Sequence, residues 1–255
     1  MIIERLLITQ FTISKFYFNI LNIDYKVRGR QMKFKYDLHV HTKEISPCAR
    51  LSVEEIIDKY IEEGYSGLVL TDHFRKGYFR KCEREEWKEK TKEYFYSYDR
   101  AIEYCKDKDF YIGLGMEISF NNDTNDFLVF GFEKEDFMEN EWMIEMGLKD
   151  FYNKFKDKAI IIQAHPHRQK GSKLEDINYL HGLEINNQNP RHNNNNDLTR
   201  CVYEENPRLI ATGGSDVHQK EDLCRTGIYT KNKITSDEQL LNILRNKDFQ
   251  IIGMD

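Results

Sequence analysis

The sequence predicts an α/β barrel, a mainly parallel sheet curled on itself and covered by helices. Three observations carry the prediction. Short runs that are apolar along their whole length alternate with amphipathic segments, as buried parallel strands and their covering helices do. Polar residues gather just after the ends of those runs, where barrels of this kind carry their working residues. The length of 255 residues suits one large domain.

In chain order, residues 35–40 form a first strand. Ser52-Val53-Glu54-Glu55 has the form of a capping box. It opens a helix with Val53, Ile56, Ile57, Tyr60 and Ile61 on one face, and Gly64 is placed to end it. Residues 67–71 are the next strand, and a charged, aromatic helix covers about 84–106. Strands follow at 110–118 and 127–132, then a helix at 141–156 and an apolar strand at 159–164. Short strands at 183–186, 209–212 and 227–230 are separated by helices. A helix at 236–245 and a strand at 249–252 end the chain. The Asn-rich stretch 186–196 reads as a rim loop.

Composition excludes several classes. The net charge of -5 gives no electrostatic argument for long nucleic acids or a membrane surface. The five cysteines are an odd number with irregular spacing, which argues against a disulfide framework and for a reducing, cytoplasmic setting. No apolar run approaches the ~20 residues a membrane span needs. Residues 1–31 are rich in Ile, Phe, Leu and Tyr without clear caps or turns, and they precede Met32. The expectation is a mis-assigned start with Met32 as the true first residue. The alternative is an amphipathic extension to a domain spanning 32–255.

Five of the eight histidines end short apolar runs: His39 and His41 in Asp37-Leu38-His39-Val40-His41, His73 in Thr71-Asp72-His73, His165 in Ala164-His165-Pro166 and His218 in Asp216-Val217-His218. A lone histidine is usually a core or surface residue. Four clusters with one layout read as strands presenting ligands to a shared polynuclear site. His39 and His41 are two apart, so both face the same side of a strand, and Asp216 and His218 repeat the spacing. Glu117 ends another strand, and its two oxygens could bridge two ions. Zinc, manganese and iron all accept mixed imidazole and carboxylate donors.

This ordered set, with Gly115-Met116-Glu117, resembles the PHP (polymerase and histidinol phosphatase) family of metal-dependent phosphoesterases, from about Met32 to the C-terminus. The resemblance implies a distorted (β/α)7 barrel and two or three divalent ions. It implies a first ion on His39, His41, Glu117 and Asp216, bridged by Glu117 to a second on His165. The family often has a further histidine on the next strand; here the matching position is Asp126. A third ion would use His73, His218 and a residue after the His-x-His motif, where this chain offers Cys48, allowing for one extra residue, or Glu44.

The implied reaction is hydrolysis of a phosphate ester by a metal-bound hydroxide, with Asp216 and His218 orienting water or shuttling a proton beside Glu117. Asp72 would steady His73 or another imidazole. His167, Arg168 and Arg225 are candidates for gripping substrate, and Glu184 and Asn186 for lining the pocket. His181 and His192 read as structural or solvent-facing. The expected substrate is a small phosphorylated metabolite or a nucleotide. Histidinol phosphatase is one specific possibility. A non-catalytic PHP module and an amidohydrolase-type enzyme are the competitors, the latter disfavoured because it would place a Lys where Glu117 stands.

Overall fold

The computed structural model describes residues 33–120, 123–169 and 171–254; the expectations about residues 1–31 and Met32 fall outside them. The strands are β1 (Phe34–Val40), β2 (Gly67–Leu70), β3 (His73–Phe74), β4 (Tyr111–Ile118), β5 (Phe127–Phe130), β6 (Ile160–Gln163), β7 (Gly182–Asn187), β8 (Ile210–Gly214), β9 (Ile228–Thr230) and β10 (Phe249–Ile251). The α-helices are α1 (Val53–Glu62), α2 (Lys76–Lys81), α3 (Trp87–Tyr94), α4 (Tyr96–Tyr104), α5 (Lys134–Glu139), α6 (Leu148–Phe155), α7 (Asn196–Glu205) and α8 (Asp237–Asn246).

The strands join in the order β10-β9-β1-β2-β4-β5-β6-β7-β8, with β3 extending the pairing along β4. A parallel bridge between Val40 and Val217 brings the chain leaving β8 back to β1 and nearly closes the ring. The result is the distorted barrel expected. It is more mixed than a uniformly parallel one, because β5 runs antiparallel to both β4 and β6, and β9 antiparallel to β1 and β10. The reversal of β5 has a functional consequence. Its N-terminus lies at the same rim as the C-terminus of β4, which is why Asp126 arrives beside Glu117.

Local chemistry explains most boundaries. Ser52 accepts from the Glu55 N–H and the Glu55 carboxylate accepts from the Ser52 N–H, completing the capping box. Such a cap contributes about 1 kcal/mol. Gly64, at φ +73, turns the chain out of α1. Ile61 is exposed, so the buried stripe of α1 ends at Tyr60.

Two predicted long helices are broken. The stretch 84–106 splits at Phe95 into α3 and α4, because Phe95 is buried against Phe137 and pins the chain between the two. The stretch 141–156 is a 3-10 turn followed by α6, since Gly147 is extended at φ -97 and ψ 166. Strand β3 and helices α2 and α5 were not anticipated. They carry Phe74, Phe79 and Phe137, part of an aromatic layer outside β4.

Candidate metal centre

Alternation along β1 puts His39 and His41 on one face, with their Nε2 atoms 3.0 Å apart. Backbone bonds from His41 N to Val217 O (3.1 Å) and from Val217 N to His39 O (3.3 Å) lock the segment after β8 against β1. Asp216 Oδ1 thereby lies 3.5 Å from both Nε2 atoms. The close approach needs a glycine on β8: a Cβ on Gly214 would sit 2.4 Å from His39 Cβ and 2.5 Å from Glu184 Oε1.

Glu117, at the end of β4, stands in the middle. Its Oε1 is 3.1 Å from His39 Nε2 and 3.2 Å from His165 Nε2, and its Oε2 is 3.4 Å from His41 Nε2. His165 also lies 3.9 Å from Asp126, whose carboxylate accepts from the Ser119 hydroxyl. Both His165 (φ +32) and Asp216 (φ +53) occupy the left-handed region. Holding a non-glycine there costs about 1–3 kcal/mol and is characteristic of functional sites.

The other flank is built on the short β3 and two loops. His73, in the short β3, has Nδ1 2.7 Å from Glu117 Oε2 and Nε2 3.2 Å from Cys48 Sγ. The rings of His73 and His218 each lie 4.4 Å from that of His41. Cys48, not Glu44, is the residue of this loop that joins the cluster. Glu44 turns away, and its carboxylate accepts from the Val53 N–H at the start of α1.

A layer of polar groups holds these side chains. Glu184 Oε1 accepts from His39 Nδ1 at 2.9 Å, and its Oε2 accepts from the His165 N–H and from Asn187 Nδ2. Such a carboxylate fixes the imidazole's tautomer and orientation. Asp72 does not hold His73. It accepts from the Thr42 N–H and from the hydroxyls of Thr42, Ser46 and Ser97, and Ser46 Oγ lies 3.3 Å from His41 Nδ1. It therefore braces the loop after β1 and reaches an imidazole only through Ser46.

Sequence reasoning missed several of these groups. A register shift on β7 between Glu184 and Asn186 breaks the two-residue alternation. Asn186 turns to Thr226 and the Ile252 carbonyl, outside the pocket, and Asn187 takes the place beside Glu184. No pattern in the chain announces that bulge. Arg168 reaches the centre, donating to Asp216 and Asn187 while Asn194 accepts from its Nε. His167 pairs instead with Thr199 on α7, and Arg225 donates to the Glu221 carbonyl beyond the cluster.

Charges are strongly coupled here. Burial alone would lower the His39 pKa, but Glu184, Asp216 and Glu117 outweigh it and raise it well above the usual imidazole range. His41 goes the other way, lowered by burial and by the neighbouring His218 and His73. Burial would raise the Glu117 carboxyl, yet His39 and His73 hold it far below its ordinary value. For Cys48, hydrogen bonds with His218 and His73 overcome burial and bring the thiol down to about 6.

The donors fit divalent ions. An ion about 2.1 Å from each donor needs donors about 3–4 Å apart, and the donor spacings around Glu117 fall in that range except the 2.7 Å to His73 Nδ1. Four overlapping groups have ligand atoms within 4.8 Å of one another: His41, His73 and His218; His39, His41 and Glu117; His39, His165 and Asp216; and Glu117, Asp126 and His165. Glu117 Oε2 and His73 Nδ1 are buried without a hydrogen-bond partner although they approach each other. Leaving such atoms unpaired costs about 1–3 kcal/mol each, which a shared cation would remove.

The family model for the PHP domain matches residues 37–247. The chain belongs to the PHP family. A search of curated proteins finds no match. Among solved structures, this PHP chain is similar to a two-domain protein from Bacteroides vulgatus containing a predicted PHP-like metal-dependent phosphoesterase. That likeness has 17% identity and a TM-score of 0.60, and it covers 86% of this chain and 64% of the other. It is also similar to a protein from Bifidobacterium adolescentis inferred to be a metal-dependent phosphoesterase, at 14% identity and a TM-score of 0.50, over 83% of this chain and 96% of that one. At these identities the likeness establishes the barrel. The matched span includes every donor from His39 to His218. Among the described residues no helix is long and apolar enough to cross a membrane.

Proposed function

We propose that this PHP domain hydrolyses small phosphate esters at the cluster around Glu117. The observation that carries the reading is the position of Glu117, within 3.4 Å of imidazole nitrogens from His39, His41, His73 and His165, with the Arg168 guanidinium beside them on Asp216. His39, His41, Glu117 and Asp216 would hold one divalent ion. Glu117, Asp126 and His165 would hold a second, and His73, His218 and Cys48 a third. Zinc suits the Cys48 thiolate, and manganese or iron suits the Asp126 side. When bound, such ions neutralise phosphoryl oxygens and bring a water's pKa from 15.7 to about 7.

The chain's own groups do the remaining work. Arg168 presents a planar fork that can pass from Asp216 to a phosphoryl oxygen. Asn187 and Asn194 hold that fork in place. Asp216 Oδ2 is the acceptor nearest to it and can orient an attacking water, while His218 Nδ1 steadies Asp216 through Oδ1 at 3.3 Å. Buried imidazoles and carboxylates exclude bulk water from the reacting atoms.

The residue at the end of β4 among the four imidazoles is Glu117, not a Lys, which favours this reading over an amidohydrolase-type centre. The test is metal content together with hydrolysis of an aryl phosphate, on protein purified without chelator and on His39→Ala beside it. Two or three ions per chain with turnover lost in the variant support the reading. Bound metal without turnover on any phosphate ester points to a non-catalytic module. Absence of bound metal in carefully prepared protein overturns the assignment.

A further inference from the structure

Next to the cluster, on the far side of Asn187, lies a second pocket of about 690 Å³. That volume is within the range of small-molecule sites, about 300–1,000 Å³. Its walls are the Asn-rich loop, the first turns of α7, and Arg225. Asn187 belongs to both compartments: it lines this pocket and donates to Asp216 Oδ2, and Asn189 beside it braces the Asp216 backbone carbonyl. A substrate whose phosphate sits at Glu117 and Asp216 would extend its remaining part here.

The pocket's polarity is specific. Two guanidiniums line it, Arg200 and Arg225. Its one acidic residue, Asp197, is 93% exposed and pairs with Arg200 Nη1. Arg200 Nε is buried and has no hydrogen-bond partner, an unmet donor that a bound acceptor would satisfy. Arg225 is exposed and forms no ion pair among the described residues; its Nε donates to the Glu221 carbonyl. The other lining side chains are chiefly neutral amides, able to hydrogen-bond but not to neutralise charge.

We infer that this pocket receives the non-scissile part of the substrate, and that Arg200 and Arg225 select one bearing a second anionic group, a carboxylate or a phosphate. The inference rests on the phosphoesterase reading above and adds to it a substrate class and a specificity residue, Arg200, outside the metal centre.

The test uses the full chain loaded with metal and three esters of similar leaving group: glycerol phosphate, 3-phosphoglycerate and propanediol bisphosphate. One of the two anion-bearing esters should exceed glycerol phosphate in kcat/KM by about tenfold or more, chiefly through KM, the size expected of a charged hydrogen bond. Which one it is tells carboxylate from phosphate. Arg225→Ala, and separately Arg200→Gln, should each pull that ratio toward one; Arg225 is exposed, so its variant tests the idea even if Arg200→Gln fails to fold. A ratio near one in the native protein, or a ratio unchanged in both variants, overturns the inference and leaves the phosphoesterase reading standing. Failure to turn over any of these esters, or an aryl phosphate, overturns both.

Discussion

At the C-terminal end of the strands, the His39 imidazole lies between two carboxylates, 2.9 Å from Glu184 and 3.1 Å from Glu117. At the opposite end, His181 hydrogen-bonds only to backbone: its Nδ1 accepts from the Ile161 N–H at 3.1 Å, and its Nε2 donates to the Lys156 carbonyl at 3.0 Å. The same side chain does two jobs. Among carboxylates it is a candidate ligand with its charge state set by partners. Between backbone groups it is a neutral clamp joining β6 to the turn before β7. A histidine at the edge of a strand therefore says little by itself; the carboxylates that face it decide.

The largest effect should follow from removing the carboxylate that all four neighbouring imidazoles share. Glu117→Gln keeps the shape and discards the charge. We expect kcat/KM on an aryl phosphate to fall by at least about 10³-fold, several kcal/mol of lost charge stabilisation, with metal content reduced alongside. Activity within tenfold of the native protein would mean that the centre is not organised around Glu117. Glu184→Gln acts one layer out. It still accepts through its carbonyl but no longer supports the charge of His39, so metal affinity should drop by about 10–100-fold. Titration of metal-free protein with zinc, followed by calorimetry, measures this directly. An unchanged affinity would reduce Glu184 to a packing role.

Cys48 separates the loop-built flank from the strand-built one. Cys48→Ser should cost about one bound ion per chain and less activity than either carboxylate change, because the donors around Glu117, His39 and Asp216 remain. In the native protein, zinc should slow alkylation of Cys48, which is exposed, whereas Cys105, buried and pushed up to about 11, should stay slow in either form. Equal labelling of Cys48 with and without metal would remove it from the ligand set.

What was legible in the chain follows the same division. Strand tips are legible because an apolar run ending in His or Glu fixes both position and face; that pattern singles out His39, His41, Glu117 and His165, which lie together at one rim. Their supports are not legible in that way. Glu184 was named only as a lining residue, since its pairing with His39 depends on β7 and β8 lying beside β1, a closure made by the Val40 and Val217 bridge. The exchange of Asn186 for Asn187 depends on a bulge that leaves the composition of the strand unaltered. The splitting of the helix at Phe95 is a tertiary effect of aromatic packing, which local propensity does not record.

His181 gives the smallest effect and the cleanest contrast. Burial lowers its pKa below the ordinary value of 6.5, and its Nδ1 can accept from Ile161 only while the ring is neutral. The unfolded chain has no such constraint and binds the proton at the ordinary pKa. As pH falls below 6.5, the unfolded state gains a proton that the folded state refuses, so the clamp's contribution is fully present above that pH and is lost as pH falls toward the folded pKa. His181→Gln keeps an acceptor and a donor without a titrating ring. Urea unfolding of metal-free protein at intervals between pH 5 and pH 8 should show a shallower loss of stability on acidification in the variant than in the native chain. Identical slopes would place the acid sensitivity elsewhere, in His41, the rim imidazole whose pKa burial also lowers, and would erase the distinction between the two ends.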